Sequence, residues 1–122
     1  MLDDLARHDP RVTPTSANIH DILEAASVAV TINSAVGIEA MVHKVPVVLC
    51  GHADFHHCAV TVTEPDAMQA ALAEATARRW AFRKFLYWYF SINCISAASA
   101  TLAEDVLGII EAAGFDTASF GL

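Results

Sequence analysis

The stretch VTINSAVGIEA, Val30 to Ala40, passes from β-branched residues into a helix-like pattern, and four of its residues suit phosphate and sugar chemistry. Asn33 and Ser34 form the hinge, with Gly37 and Glu39 just beyond. A helix that opens at such a hinge offers unpaired backbone N–H groups and the positive end of its dipole, which together receive a phosphate. The Ser34 hydroxyl can donate to a phosphate oxygen. Gly37 lets a ligand or a neighbouring backbone approach, and Glu39, one turn in, can accept from ribose hydroxyls. The same residues also serve without a ligand, Asn33 or Ser34 as a cap and Glu39 as a solvated carboxylate, because a full glycine-rich fingerprint is missing.

A second group is CGHADFHHCA, which packs Cys50, His52, Asp54, His56, His57 and Cys58 into nine positions. All are competent zinc ligands, but structural zinc sites usually draw on two separated ligand pairs, and no second cluster follows. No metal is therefore expected, with His52, His56, His57 and Cys58 the only candidates, and the loop reads as the mouth of a cleft. A metal-binding domain built on the His52–Cys58 loop stays as an alternative. Cys58 beside His57 makes no catalytic dyad, because sequence neighbours rarely reach the needed geometry.

The elements around these groups alternate. SANIHDILEAA reads as a helix, with Ser16 or Asn18 as its cap and Ile19, Ile22 and Leu23 on one face. Val28–Ile32 is a buried strand, Ser34–His43 a helix, Val45–Cys50 a second strand and Ala59–Thr63 a third. Pro65 opens a helix to about Ala77. The pattern predicts an α/β fold with a parallel, doubly wound sheet. Residues 1–77 form that portion, and 78–122 add helices over Trp80–Asn93 and about Ala100–Ala113. The first of these is apolar nearly all round, from Trp80 through Phe90, and such a helix is buried or paired.

AASVAVTINSAVGIEAMVHKVPVVLCGHADF, together with NIHDILEAA and FRKFLYWYFSINCISA, resembles bacterial capsular polysaccharide biosynthesis and export proteins, the Kdo-transferring capsule glycosyltransferases. The resemblance implies half of a GT-B fold, a Rossmann-like domain that holds a nucleotide sugar, here CMP-Kdo, with a polysaccharide or glycolipid as acceptor. Carried over by position, Asn33, Ser34 and Gly37 line the donor phosphate, Glu39 the ribose side, and His20 and Asp21 the neighbouring helix start. No covalently bound cofactor is implied, and no catalytic base can be placed. A noncatalytic sugar-nucleotide or interaction module is the other alternative. Ala35 stands where the family has threonine. His43-Lys44-Val45-Pro46 replaces Gly-Lys-Pro, so a left-handed Lys44 would cost on the order of 1 kcal/mol. Family members carry an N-terminal domain that these residues lack, so the resemblance implies a fragment or reduced relative.

The chain has 122 residues, 55% of them hydrophobic, and a net charge of −7. That charge argues against nucleic acid or an anionic membrane as partner, although a peripheral membrane association stays open. No apolar run is long enough to span a bilayer. Three cysteines in apolar surroundings read as reduced, buried thiols of a cytoplasmic protein. The aromatic helix, short of cover, predicts a homo-oligomer or a missing domain.

Overall fold

β-Branched runs become strands here only where neighbours pair them. The computed structural model describes residues 2–120 and shows three parallel strands, β1 (Ala29–Thr31), β2 (Val47–Leu49) and β3 (Val60–Thr61), in that spatial order. Ala29 lies opposite Val47, and Val48 opposite Val60. Each strand is shorter than its apolar run, because ladder bonds stop where the flanking residues turn away. The chain divides into two compact units, Met1–Trp80 and Ala81–Leu122.

The first unit holds the sheet with helices α1 (Leu2–His8), α2 (Ile19–Ala25), α3 (Val36–Val42) and α4 (Met68–Ala77). The expected α/β fold with a parallel sheet holds. β1 and β2 are joined through α3, whereas β2 and β3 are joined by a loop whose only helical turn is the 3-10 turn His56–Cys58. Phe55 supplies the reason: this loop residue is itself buried and lies against α3, so the loop gives cover that a crossover helix would otherwise give.

The core is centred on β2. Val47, Val48, Leu49, Ala40 and Met41 are fully buried, and each of the larger side chains contributes roughly 1.5–3 kcal/mol by leaving water. On the β3 side, Val48, Val60 and Val62 pack with Ala71 and Ala75 of α4, whose small side chains let helix and sheet approach closely. Trp80 joins this cluster, and its indole N–H donates to the Ala75 carbonyl at 2.8 Å.

The two ends of α2 and α3 show how local chemistry sets the boundaries. Asn18 caps α2, its side-chain oxygen accepting from the His20 amide at 2.9 Å. α3 ends in a Schellman motif, in which the Val45 amide donates to the Ala40 carbonyl and the Lys44 amide to that of Met41. That motif needs a left-handed residue, and Lys44 supplies it at φ 63°. The strain expected from the missing glycine is therefore present.

The second unit contains α5 (Phe82–Asn93), α6 (Leu102–Ala112) and the 3-10 turn Thr117–Phe120. α6 ends in the same motif as α3, but with Gly114 at φ 90° in the strained position. α5 is not buried all round. Phe82 is buried and Phe85, Leu86 and Tyr89 are half-buried, while Tyr87 is 77% exposed and Trp88, Phe90 and Ile92 are also open.

Candidate functional site

In a parallel sheet, ligands gather beyond the carboxyl ends of the strands. At the end of β1 the chain makes a tight turn rather than entering a helix at once. Thr31 Oγ1 accepts from the Ser34 amide at 3.2 Å, and Ser34 Oγ accepts from the Val36 amide at 3.3 Å. The Gly37 amide donates to the Ser34 carbonyl at 3.0 Å and the Ile38 amide to that of Ala35 at 2.8 Å. α3 then starts at Val36, not Ser34, and runs for only 7 residues. The expected row of free amides is thus mostly consumed by the turn. What stays open among the described residues is the amides of Asn33 and Ala35 and the Ser34 O–H, which still has its proton to donate. Asn33 and Ser34 are both exposed, and Glu39 is half-buried along α3.

Gly37 is filled by protein. A Cβ there would lie 2.5 Å from Phe55 Cε2 and 2.8 Å from Cζ, so the missing side chain makes room for the Phe55 ring. Gly51, just past β2, is similarly tight: its Cβ would come 3.2 Å from the Ile32 carbonyl oxygen. The turns that follow β1 and β2 are therefore pressed together at this edge.

His20 lies elsewhere. Its Nδ1 is 3.0 Å from Nε2 of His43, the residue that closes α3 at the end opposite Ser34. Seven helical residues separate those ends by about 10 Å. The ring centroids are 5.3 Å apart, close to the N···N distance plus two ring radii of roughly 1.1 Å each, so the nitrogens face along one line, as in an N–H···N hydrogen bond. Asp21 follows His20 and is exposed. Asn33 and Ser34 are thus exposed in the turn, Gly37 is taken up by Phe55, Glu39 lies half-buried on α3, and His20 lies at the other end of that helix.

Among the described residues no three His, Cys, Asp or Glu side chains gather as a metal site. His56 and His57 have ring centroids 3.9 Å apart, but the His56 Nδ1–H donates to the Ala53 carbonyl at 2.8 Å. Cys58 is buried, and its burial pushes the thiol up from its ordinary value, with the Arg78 charge opposing in part. Cys50 and Cys94 are exposed, which corrects the expectation of three buried thiols. Cys50 follows the last residue of β2, where the sheet cover has already ended.

Beyond β2 and β3, on the same carboxyl edge, lies a cavity of about 300 Å³ lined by Cys50, Val62, Thr63, Glu64, Pro65 and Met68. Sequence reasoning passed over Thr63 and Glu64. The signal was there, since Thr63-Glu64-Pro65 is also a strand end leading to a helix start, as Asn33-Ser34 is.

With this edge described, one comparison decides the family. Residues 4–93 match the family model for capsule polysaccharide biosynthesis protein. The chain belongs to that family. No curated protein and no solved structure matches the chain. The capsule polysaccharide biosynthesis match takes in all three strands, most of α1 and the whole of α2 to α5, so the turn after β1 and the cavity after β3 both lie inside it. Its role is in capsule synthesis, which makes sugars or polysaccharides its expected partners. Among the described residues no helix is long and apolar enough to cross a membrane.

Proposed function

We propose that the carboxyl edge of this sheet holds the activated donor of a capsule glycosyltransferase, a CMP-sugar and specifically CMP-Kdo, and that the first unit is part of the Rossmann-like half of a GT-B enzyme. The observation that carries this reading is the turn after β1, which leaves the Ser34 O–H and the Asn33 and Ala35 amides open at the edge where parallel sheets bind ligands. Those three donors suit a phosphate oxygen. Glu39 takes the ribose side. Gly37 acts indirectly, by letting Phe55 lock the loop from β2 against α3. His20 and Asp21 fall outside the donor site, since His20 is bonded to His43 at the other end of α3.

In such a transfer a general base takes the acceptor proton while fixed donors stabilise charge on the leaving phosphate. This chain supplies the donors, and no residue of it is assigned as the base. α3 is too short for its dipole to be a main term, and no basic side chain lies in the turn. Binding of the nucleotide to the isolated chain is therefore expected to be weak.

Calorimetry with CMP tests the reading. Ser34→Ala is expected to weaken binding by about 1–2 kcal/mol, the scale of one charge-assisted hydrogen bond. Equal affinity in parent and variant would remove Ser34 from the site, and with it the reading. The exposed aromatic residues of α5, Tyr87, Trp88 and Phe90, favour a second reading, a noncatalytic module that docks on another protein. A chain that binds CMP yet supports no sugar transfer with any partner domain would favour that second reading.

A further inference from the structure

The cavity beyond β2 and β3 has a composition that selects its guest. Val62, Pro65 and Met68 give it apolar walls, and the lining also includes Thr63 and Glu64, exposed residues that carry a hydroxyl and a carboxylate. Among the described residues, neither of those two side chains has a hydrogen bond or ion pair, so their bonding capacity is open to a ligand. Its volume of about 300 Å³ is at the lower end of the range for small-molecule sites, enough for one ring and not for a whole nucleotide sugar.

We propose that this cavity binds a neutral polyhydroxylated ring, a furanose or pyranose that offers a vicinal diol, with Glu64 accepting from the diol and Thr63 bonding a further hydroxyl. A carboxylate has only acceptor sites when ionised, so it matches the two O–H donors of a diol. The apolar walls match the C–H face of a sugar ring. The same carboxylate repels a sugar acid or a phosphate, which excludes both from this cavity. Neighbouring strands lie about 4.8 Å apart, so two steps across the sheet put the cavity about 10 Å from the turn after β1. A neutral sugar of the acceptor has the required chemistry, and so does the donor ribose where it turns from Glu39 into this cavity. The inference rests on reading the carboxyl edge as the ligand face, but not on Ser34.

The test is an amide NMR titration of the labelled full chain with four probes: cytidine, 2′,3′-dideoxycytidine, methyl glucoside and methyl glucuronide. A neutral diol probe is expected to move the amides of residues 62–68, with Glu64→Ala weakening it about tenfold and Thr63→Val by a smaller factor. Both variants lie on the surface, and unchanged amides elsewhere show that they fold. Cytidine acting where dideoxycytidine does not identifies the ribose as the source. Methyl glucoside acting where cytidine does not identifies an acceptor sugar. The proposal is overturned if neither neutral probe moves those amides, if methyl glucuronide binds as tightly as methyl glucoside, or if Glu64→Ala changes nothing. Loss of CMP binding in Ser34→Ala with the diol response intact separates the two sites, and so does the reverse.

Discussion

Gly37→Ala isolates the contact that fixes the loop between β2 and β3. The added methyl would sit 2.5 Å from Phe55 Cε2, 2.8 Å from Cζ and 3.5 Å from Val47 Cγ1. The first two distances are far inside contact range. The Phe55 ring is itself buried and Val47 is fully so, which leaves no open side for the ring to move into. Overpacking of this kind costs about 1–3 kcal/mol. Alanine recovers at most about 1 kcal/mol of that through its better helix propensity, so the net loss is expected at about 1–2 kcal/mol. Urea unfolding, read as a shift in midpoint at constant slope, measures it. The double-mutant cycle is decisive: in a Phe55→Ala background the same glycine change should be neutral or stabilising, because the clash is gone. Gly37→Ala as stable as the parent with Phe55 in place would refute the reasoning. The glycine would then have to be explained by ligand approach instead.

Lys44→Gly should stabilise the chain by about 0.5–1 kcal/mol, since glycine takes φ 63° without steric cost; a drop in melting temperature would contradict this. Met41→Ala should cost about 2–5 kcal/mol, because Met41, on the buried face of α3, is 0% exposed, and denaturant unfolding reads it directly. A thiol reagent at neutral pH should modify two cysteines, Cys50 and Cys94, at once. Cys58 should react only on unfolding: burial raises its pKa, so it stays a protonated thiol to higher pH than an exposed one, and a modest rise in pH should not release it.

The parts of the fold that could be read in the sequence are those set by local pattern. The β-branched runs gave all three strands, and the proline-opened segment gave α4 after a 3-10 turn, Pro65–Ala67. Strain at Lys44 was legible only through the family resemblance, in which His43-Lys44-Val45-Pro46 replaces Gly-Lys-Pro. What was hidden depends on pairs distant in sequence. Nothing near Gly37 announces that Phe55 fills its missing side chain, and nothing near His20 announces His43. The engaged amides of the turn after β1 were hidden for another reason: a strand-to-helix hinge can open into a helix directly or fold on itself first, and residue types alone do not choose. The aromatic helix was legible in part from composition, which marked it as short of cover. Composition did not say which side is left open; the side with Phe82, Phe85, Leu86 and Tyr89 is covered or partly covered, and Tyr87, Trp88 and Phe90 are exposed.

The register of the sheet has a kinetic consequence. Ala29 finds its partner at Val47, and Val48 finds its partner at Val60, so no pairing in this sheet closes a loop of more than about twenty residues. Parallel sheets are usually slow to form because their strands are far apart along the chain and the closure entropy comes before any contact rewards it. Here the closure term is small, and the helix-free link between β2 and β3 is what keeps the second loop short. The nucleus can then assemble from one contiguous stretch, α3 with the strands on either side of it. Stopped-flow refolding should show this unit gaining its β2 contacts in milliseconds or faster, ahead of the pace expected for a sheet whose strands are all parallel.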